Sequence, residues 1–397
     1  MNDKLTRPHF LAILCILMAF ASLSIDLYLP AMPLMAKELH GDIELTVTAF
    51  LIGFSIAQLI WGPISDSFGR RLPLFIGMFM FIVGSAGCAL SINIEQIVLW
   101  RVVQAFGACT GPMLARAMIR DSFSRIKAAQ MFSTLFFFMA VAPIVGPLIG
   151  GQIIRFSCWQ VIFGMLVVLG VIMFISLFAL PETLPEEKRV TLSFANAFHN
   201  YLVLLKNRTF MKYTLCLTFF YVAAYAYMTG SPFVYISYFE IAPQYFGLLF
   251  GLNLLGVMAM SMINRRLVLR YPLKHLLKAA AFVSLLAAAV LALVVKLQIG
   301  GVISVVLSIF LFFSMNGIIA ANTTTAALDS APFLAGSASA VIGALQYGSG
   351  IVSTLLLTLF NDGTPWTMAW IMLVFTFASV VTLLLPNTTV KESVVVE

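Results

Sequence analysis

Apolar residues run along this chain in stretches of about twenty, separated by short polar or Gly/Pro-marked breaks. Stretches of that length match the roughly 30 Å hydrocarbon core of a bilayer when wound as helix at about 1.5 Å per residue. The pattern predicts membrane-spanning helices over 9–36, 44–65, 73–91, 96–119, 130–152, 159–180, 211–238, 243–263, 275–297, 301–326, 333–360 and 364–386. The predicted fold is therefore an all-α membrane protein of twelve transmembrane helices in two six-helix bundles, over 1–180 and 211–397, joined by a polar cytoplasmic loop at 181–210.

Composition agrees, since 61% of the 397 residues are hydrophobic and 10% charged, more apolar surface than a soluble core can hide. The opening stretch resembles a signal peptide, but the bulky Ile13 and Leu14 before Cys15 and the unbroken apolar run beyond favour an uncleaved first span. Five scattered cysteines show no pairing or metal spacing. The net charge of +7 reflects sidedness rather than nucleic-acid binding. With an inner N-terminus, 19 of the Lys and Arg residues fall on one side, Lys37, Arg155 and Lys296 on the other, and Arg101 within a span. That asymmetry puts both termini and the central loop in the cytoplasm. No phosphate loop, metal cluster or nucleophile elbow is present, so an enzyme is not expected and neither is a cofactor.

The two halves carry a shared trace. The loop GPISDSFGRRLPL at 62–74 aligns with SMINRRLVLRYPL at 261–273, matching Arg71 with Arg270, Pro73 with Pro272 and Leu74 with Leu273. Parallel repeats of this kind are a transporter architecture, with substrate bound near the membrane midplane between them. In the first copy Gly62 and Gly69 permit close approach and a tight turn, and Asp66 can meet Arg70 and Arg71 or helix N-termini; this is either a conformational latch or an ordinary basic loop.

Asp26 lies about 24 Å along its helix from Phe10, beyond mid-membrane. Arg101 sits at a comparable depth from the opposite end of the fourth span. Charges there are expensive, so the pair reads as a proton-coupling site or as a static ion pair that fixes packing. Arg116 lies at the inner end of the fourth span, suited to snorkelling or a second latch. In the fifth span Ala142, Gly146 and Gly150 make a smooth stripe, while Pro143 and Pro147 bend it, as suits a rocking element. Tyr221 and Tyr225 share a face of the seventh span and can line a pocket; Asn316 and Gln346 offer polar contacts in the second half.

These motifs together resemble the major facilitator superfamily, the resemblance covering the whole chain. Its loop motif is matched by Gly62, Asp66, Gly69, Arg70 and Arg71, its fourth-helix motif by Arg101 and Gln104, and its antiporter motif by Gly146, Pro147, Gly150 and Gly151. Ala105 departs where that family commonly has Gly. With DLYLPAMP at 26–33, RAMIRD at 116–121 and PETL at 181–184, the chain is similar to drug–proton antiporters of the Bcr/CflA branch. The resemblance implies proton-driven export of small lipophilic, amphenicol- or bicyclomycin-like compounds by a monomer in the bacterial inner membrane. Asp26 would carry the proton with Arg101 as partner, Asp66, Arg70 and Arg71 would latch the bundles, and Tyr28, Tyr221, Tyr225, Asn316 and Gln346 would meet substrate. The alternative is a proton-coupled exporter of one metabolite or siderophore.

Overall fold

The structure, a computed structural model, describes residues 8–123, 125–189, 194–331 and 334–385. Fifteen α-helices and a few shorter turns make up the described chain, and no strand occurs among the described residues. In order they are α1 (Pro8–Asp26), α2 (Met32–Leu39), α3 (Glu44–Phe68), α4 (Arg71–Leu90), α5 (Ile94–Ser122), α6 (Arg125–Phe156), α7 (Gln160–Ser176) and α8 (Phe194–Lys206). They continue as α9 (Arg208–Pro232), α10 (Pro243–Leu267), α11 (Leu273–Lys296), α12 (Gly301–Ser314), α13 (Asn316–Asp329), α14 (Ala335–Leu359) and α15 (Trp366–Leu384). Among the described residues ten helical segments are long and apolar enough to cross a membrane, α1 with α2 and α12 with α13 each counting as one. The expected spans at 130–152 and 211–238 fall on α6 and on α9 with the π-helical turns Phe233–Tyr238 that follow Pro232.

Three predicted elements come out differently. The helix expected over 9–36 stops at Asp26, passes through the 3₁₀ turn Leu29–Ala31 and resumes as α2. Pro30 explains where: it has no N–H to bond the carbonyl of residue 26, and its ring would clash with that carbonyl. The span at 301–326 breaks at Met315 between α12 and α13, and there Gly317 lets α13 lie against the Val257 carbonyl and Ser261 of α10. The segment 181–210, expected as a loop, contains the amphipathic helix α8. Its Leu204 is buried, and the hydroxyl of Tyr201 donates to the Leu59 carbonyl at 3.3 Å.

Within the first half α4 packs on α5 and α7, and α1 on α5 and α6; in the second, α9 packs on α14 and α15, and α10 on α12. The halves meet along two seams, α3 on α14 and α6 on α10. Small residues let both seams close. Gly247 of α10 fits over the Leu148 backbone of α6, and Gly350 of α14 takes Leu51 of α3 against it. The Thr48 and Thr354 hydroxyls are hydrogen-bonded across the α3–α14 seam, at the end remote from the basic loops.

Candidate functional site

Arg101 of α5 is fully buried, and its guanidinium is held almost entirely by neutral groups. Nη1 donates to the Ser24 carbonyl at 2.8 Å and to the Gln104 side chain at 2.7 Å; Nε donates to the Thr46 carbonyl at 3.4 Å. Gln104, one turn along α5, is itself fixed by donating to Ser85 of α4 at 2.7 Å. The rings of Tyr28 and Phe50 lie 4.4 Å from the guanidinium carbon, a cation–π sandwich that substitutes for part of the lost hydration. Nη2 has no hydrogen-bond partner. Tyr28, expected to touch substrate, instead stacks on Arg101, shares a 3.1 Å hydrogen bond with Thr46 and packs on Phe163.

Asp26 is 1% exposed, at the last residue of α1, and its Oδ1 is unbonded. No ion pair joins it to Arg101 among the described residues. Arg101 approaches the end of α1 from the side of α3 and α5, whereas Asp26 leaves it toward α6. A Cβ built on Gly146 would lie 3.2 Å from that of Asp26, and one on Gly150 would run into the Leu27 carbonyl oxygen. A Cβ built on the next residue, Gly151, would point the other way, to 2.5 Å from the Pro243 carbonyl oxygen at the start of α10. The stripe Gly146, Pro147, Gly150, Gly151 therefore seats α6 between the broken end of α1 and the second half. Pro147 is buried there with it.

Across the seam, Asp26 is within electrostatic range of Tyr225 on α9 and Tyr347 on α14. Tyr221 and Tyr225 share a face as expected, their rings 6.2 Å apart, and Asn316 at the α12–α13 break lies beside the Tyr221 hydroxyl. Tyr347 stacks on Phe54 of α3 at 4.2 Å. Gln346 precedes it on α14 and is half-buried. Tyr347, Phe54 and Phe50 did not stand out in the sequence. Phe50 and Phe54 are one turn apart on α3 and their rings stack, Phe50 against Arg101 and Phe54 against Tyr347 of α14, partners that the sequence does not reveal.

The basic loop after α3 is a closed network. Gly69 adopts φ +88°, which only glycine takes freely, and turns the chain into α4. Arg70 Nη1 donates to Asp66 at 2.6 Å and to Ser65 at 2.8 Å, while its Nε donates to Asp121 at the end of α5 at 2.8 Å. Glu182 accepts from the backbone N–H groups of Arg70, Arg71, Thr183 and Leu184 at 2.9–3.1 Å. Every partner belongs to the first half or to the segment just after it, so the latch in this structure ties that half to itself rather than to the other. Two expectations are corrected here. The Arg71 guanidinium lies over Phe75 and makes no ion pair among the described residues. Gly62 has open space around it, not a neighbouring backbone. Arg116, expected to snorkel or to form a second latch, stands outside the network and makes no ion pair among the described residues. The second half replaces the ions with a neutral pair, Asn264 of α10 and Asn322 of α13, whose amides bond reciprocally at 3.1 and 3.2 Å.

Partial burial opposes ionisation of Glu182, but the four N–H donors outweigh it and hold its pKa below the usual carboxylate range. A depressed pKa contributes stability that is present above the ordinary Glu value of about 4.3 and is lost as pH falls through the lower folded value. Glu182→Gln is expected to lower thermal stability at neutral pH by roughly 1–2 kcal/mol and to flatten the acid limb of a melting-temperature profile. A variant with the wild-type acid limb would show that Glu182 does not carry this linkage.

At this basic end a cavity of about 590 Å³ opens between α3, α5, α8 and α14. Gln58, Gly62, Asp66, Arg116, Arg120, Asn200, Tyr201, Ser337 and Ala340 are among its lining residues. Toward the opposite end the α3–α14 seam is closed by Phe54 on Tyr347, Leu51 on Gly350 and the Thr48–Thr354 bond.

A cavity open at one end, two helical halves meeting on glycine-rich seams and a buried unpaired carboxylate at the junction describe a carrier better than a pore. Comparison with known proteins agrees. Over 379 residues, 94% of this chain and 93% of the relative, the sequence is 38% identical to an uncharacterized MFS-type transporter, YdgK, of Bacillus subtilis. Over the same length, 94% of each, it is 28% identical to a bicyclomycin resistance protein homolog of Haemophilus influenzae. The backbone matches the xylose transporter XylE of E. coli in a partially occluded inward-open conformation with a TM-score of 0.74, covering 96% of this chain and 99% of that one at 16% identity. Since the family model for the Major Facilitator Superfamily also matches residues 14–354, this multi-pass bacterial membrane protein belongs to that superfamily of transporters.

Proposed function

We propose that this chain exports small lipophilic compounds across the bacterial inner membrane in exchange for protons, by alternating access, with both termini in the cytoplasm. The observation that carries the reading is Asp26, a buried carboxylate with an unbonded oxygen at a proline-set helix break. A carboxylate so placed gains or loses its proton according to which groups face it, so proton occupancy follows conformation. Two arrangements of the α1 end differ in that respect. In the structure Asp26 leaves α1 toward Gly146 of α6, away from any cation among the described residues. Turning the 26–31 segment toward α5 would bring it to the free Nη2 of Arg101, where the ionised form is favoured.

The cavity at the basic end is the inward-open form of the pathway. Beyond the cavity, along the junction of the halves, stand Tyr347, Tyr225 and Tyr221, flat apolar faces with hydroxyl handles for a compound admitted further. The bicyclomycin resistance protein homolog among the relatives supports drugs as cargo. The test is purified protein in liposomes with an internal pH-sensitive dye, an imposed proton gradient, and amphenicols, bicyclomycin and lipophilic cations added singly. Proton flux that depends on the added compound is expected. Compounds that bind without moving protons would end the antiport reading.

A further inference from the structure

Arg116 is absorbed neither by the Arg70 network nor by the Asp26 site. It is exposed on α5, where its Nε donates to the Pro112 carbonyl at 2.9 Å, and its guanidinium lines the basic-end cavity. Arg120, one turn on, lines the same cavity and is also exposed. Among the described residues neither makes an ion pair. Asp66 is the carboxylate among the lining residues, and its Oδ1 is bonded to Arg70. Arg70, also in the lining, is paired with Asp66 and Asp121, and the other polar lining residues, Gln58, Asn200, Tyr201 and Ser337 among them, are neutral. A concave, low-dielectric wall with unmatched positive charge focuses a positive potential into the opening.

From this we propose that the cavity selects anionic amphiphiles, with Arg116 as counter-ion for a carboxylate, sulfonate or phenolate head and the apolar wall of Pro63, Met113, Leu114 and Leu334 for the apolar body. The guanidinium supplies the charge-assisted, bidentate hydrogen bonds that such a head accepts. The volume of about 590 Å³ is in the range of drug-sized sites.

The depth of the two charges makes this compatible with proton exchange. Gly111 of α5 abuts the Leu17 carbonyl of α1, which sets the register between these helices. Arg116 lies five residues from Gly111 toward the basic end, and Asp26 nine residues from Leu17 the other way. At about 1.5 Å per residue the two are roughly 21 Å apart along the helix axes. An anion held by Arg116 is thus far out of contact with Asp26, and at that separation its pull on a proton there is weak. Cargo and proton then oppose each other through conformation, not direct charge attraction. The inference rests on the export reading for the direction of transport alone.

The test uses two dyes that share a xanthene scaffold and differ in charge: fluorescein, at a pH where it is a dianion, and the cation rhodamine 123. Binding to purified full-length protein in detergent is read by fluorescence polarisation, with no gradient imposed. Fluorescein is expected to bind about tenfold more tightly than rhodamine 123. Arg116→Gln should erase that preference by weakening fluorescein about tenfold without weakening rhodamine 123, and Arg116→Lys should keep most of it. A wild type that prefers rhodamine 123, or an Arg116→Gln variant that weakens both dyes equally, as a gating or structural role would, overturns the proposal. Fluorescein that binds as expected but is not exported against a proton gradient would remove the export reading and leave the site.

Discussion

Asp26→Asn is expected to abolish uphill export while leaving binding intact. One proton exchanged per molecule lets each pH unit sustain about a tenfold concentration ratio of cargo, equivalent to about 1.4 kcal/mol. Asparagine has the shape of the carboxylate and cannot take up the proton, so the coupling disappears and the ratio should fall to about one. The protein should still fold. Asp26 is buried with one oxygen unbonded, and replacing a buried ionisable group by a neutral isostere relieves a desolvation cost. Thermal stability of the variant in detergent should therefore equal or exceed that of wild type, which separates a coupling defect from a folding defect. The measurement is steady-state accumulation in liposomes at two proton gradients. A ratio that still scales with the gradient would mean that another group carries the proton.

Gly150→Ala should be the most damaging single methyl addition in the first half. The added Cβ would collide with the Leu27 carbonyl oxygen in the segment that presents Asp26, and backbone on both sides leaves nothing flexible to yield. Overpacking of this kind costs about 1–3 kcal/mol, and here it also pushes α6 away from the α1 break. Gly146→Ala meets Asp26 Cβ at 3.2 Å and should be milder. Gly164→Ala on α7, with no atom within 4 Å of the new methyl, is the control and should behave as wild type. We expect Gly150→Ala to lower the melting temperature and to cut compound-driven proton flux about tenfold. Equal behaviour of Gly150→Ala and Gly164→Ala would show that close approach of α1 and α6 does not matter to function.

Much of the site was legible before the structure. Asp26 and Arg101 stand out because a charge in an apolar run is rare, and Gly69 because a turn into a helix between two charged residues calls for glycine. Misreadings came where the partner of a residue is remote in sequence. Arg101 and Asp26 share a depth, yet side-chain direction around the end of α1 separates them, and depth alone does not give direction. Tyr28 is aromatic and near a charge, as a binding residue would be, but the charge it serves is Arg101. Asp66, Arg70 and Arg71 are adjacent in the chain, whereas the carboxylates that complete the network come from Asp121 and Glu182. The break at Asp26 was available from Pro30 four residues later, and the apolar run concealed it.

Taken alone, the order of residues determined the all-helical membrane fold, the division of the chain into halves and the few charges that have to be accounted for. These follow from local quantities: the length of apolar runs, the sidedness of Lys and Arg, and the cost of a charge in hydrocarbon. Only the tertiary structure decided that Arg101 is held by carbonyls and rings, that Asp26 leaves α1 toward Gly146 of α6, and that Arg116 lines an open cavity. Those outcomes depend on the rotation of each helix about its axis and on which seam it closes. Both are set by the fit of small residues against groups far away in the chain, as Gly350 is fitted against the Leu51 side chain.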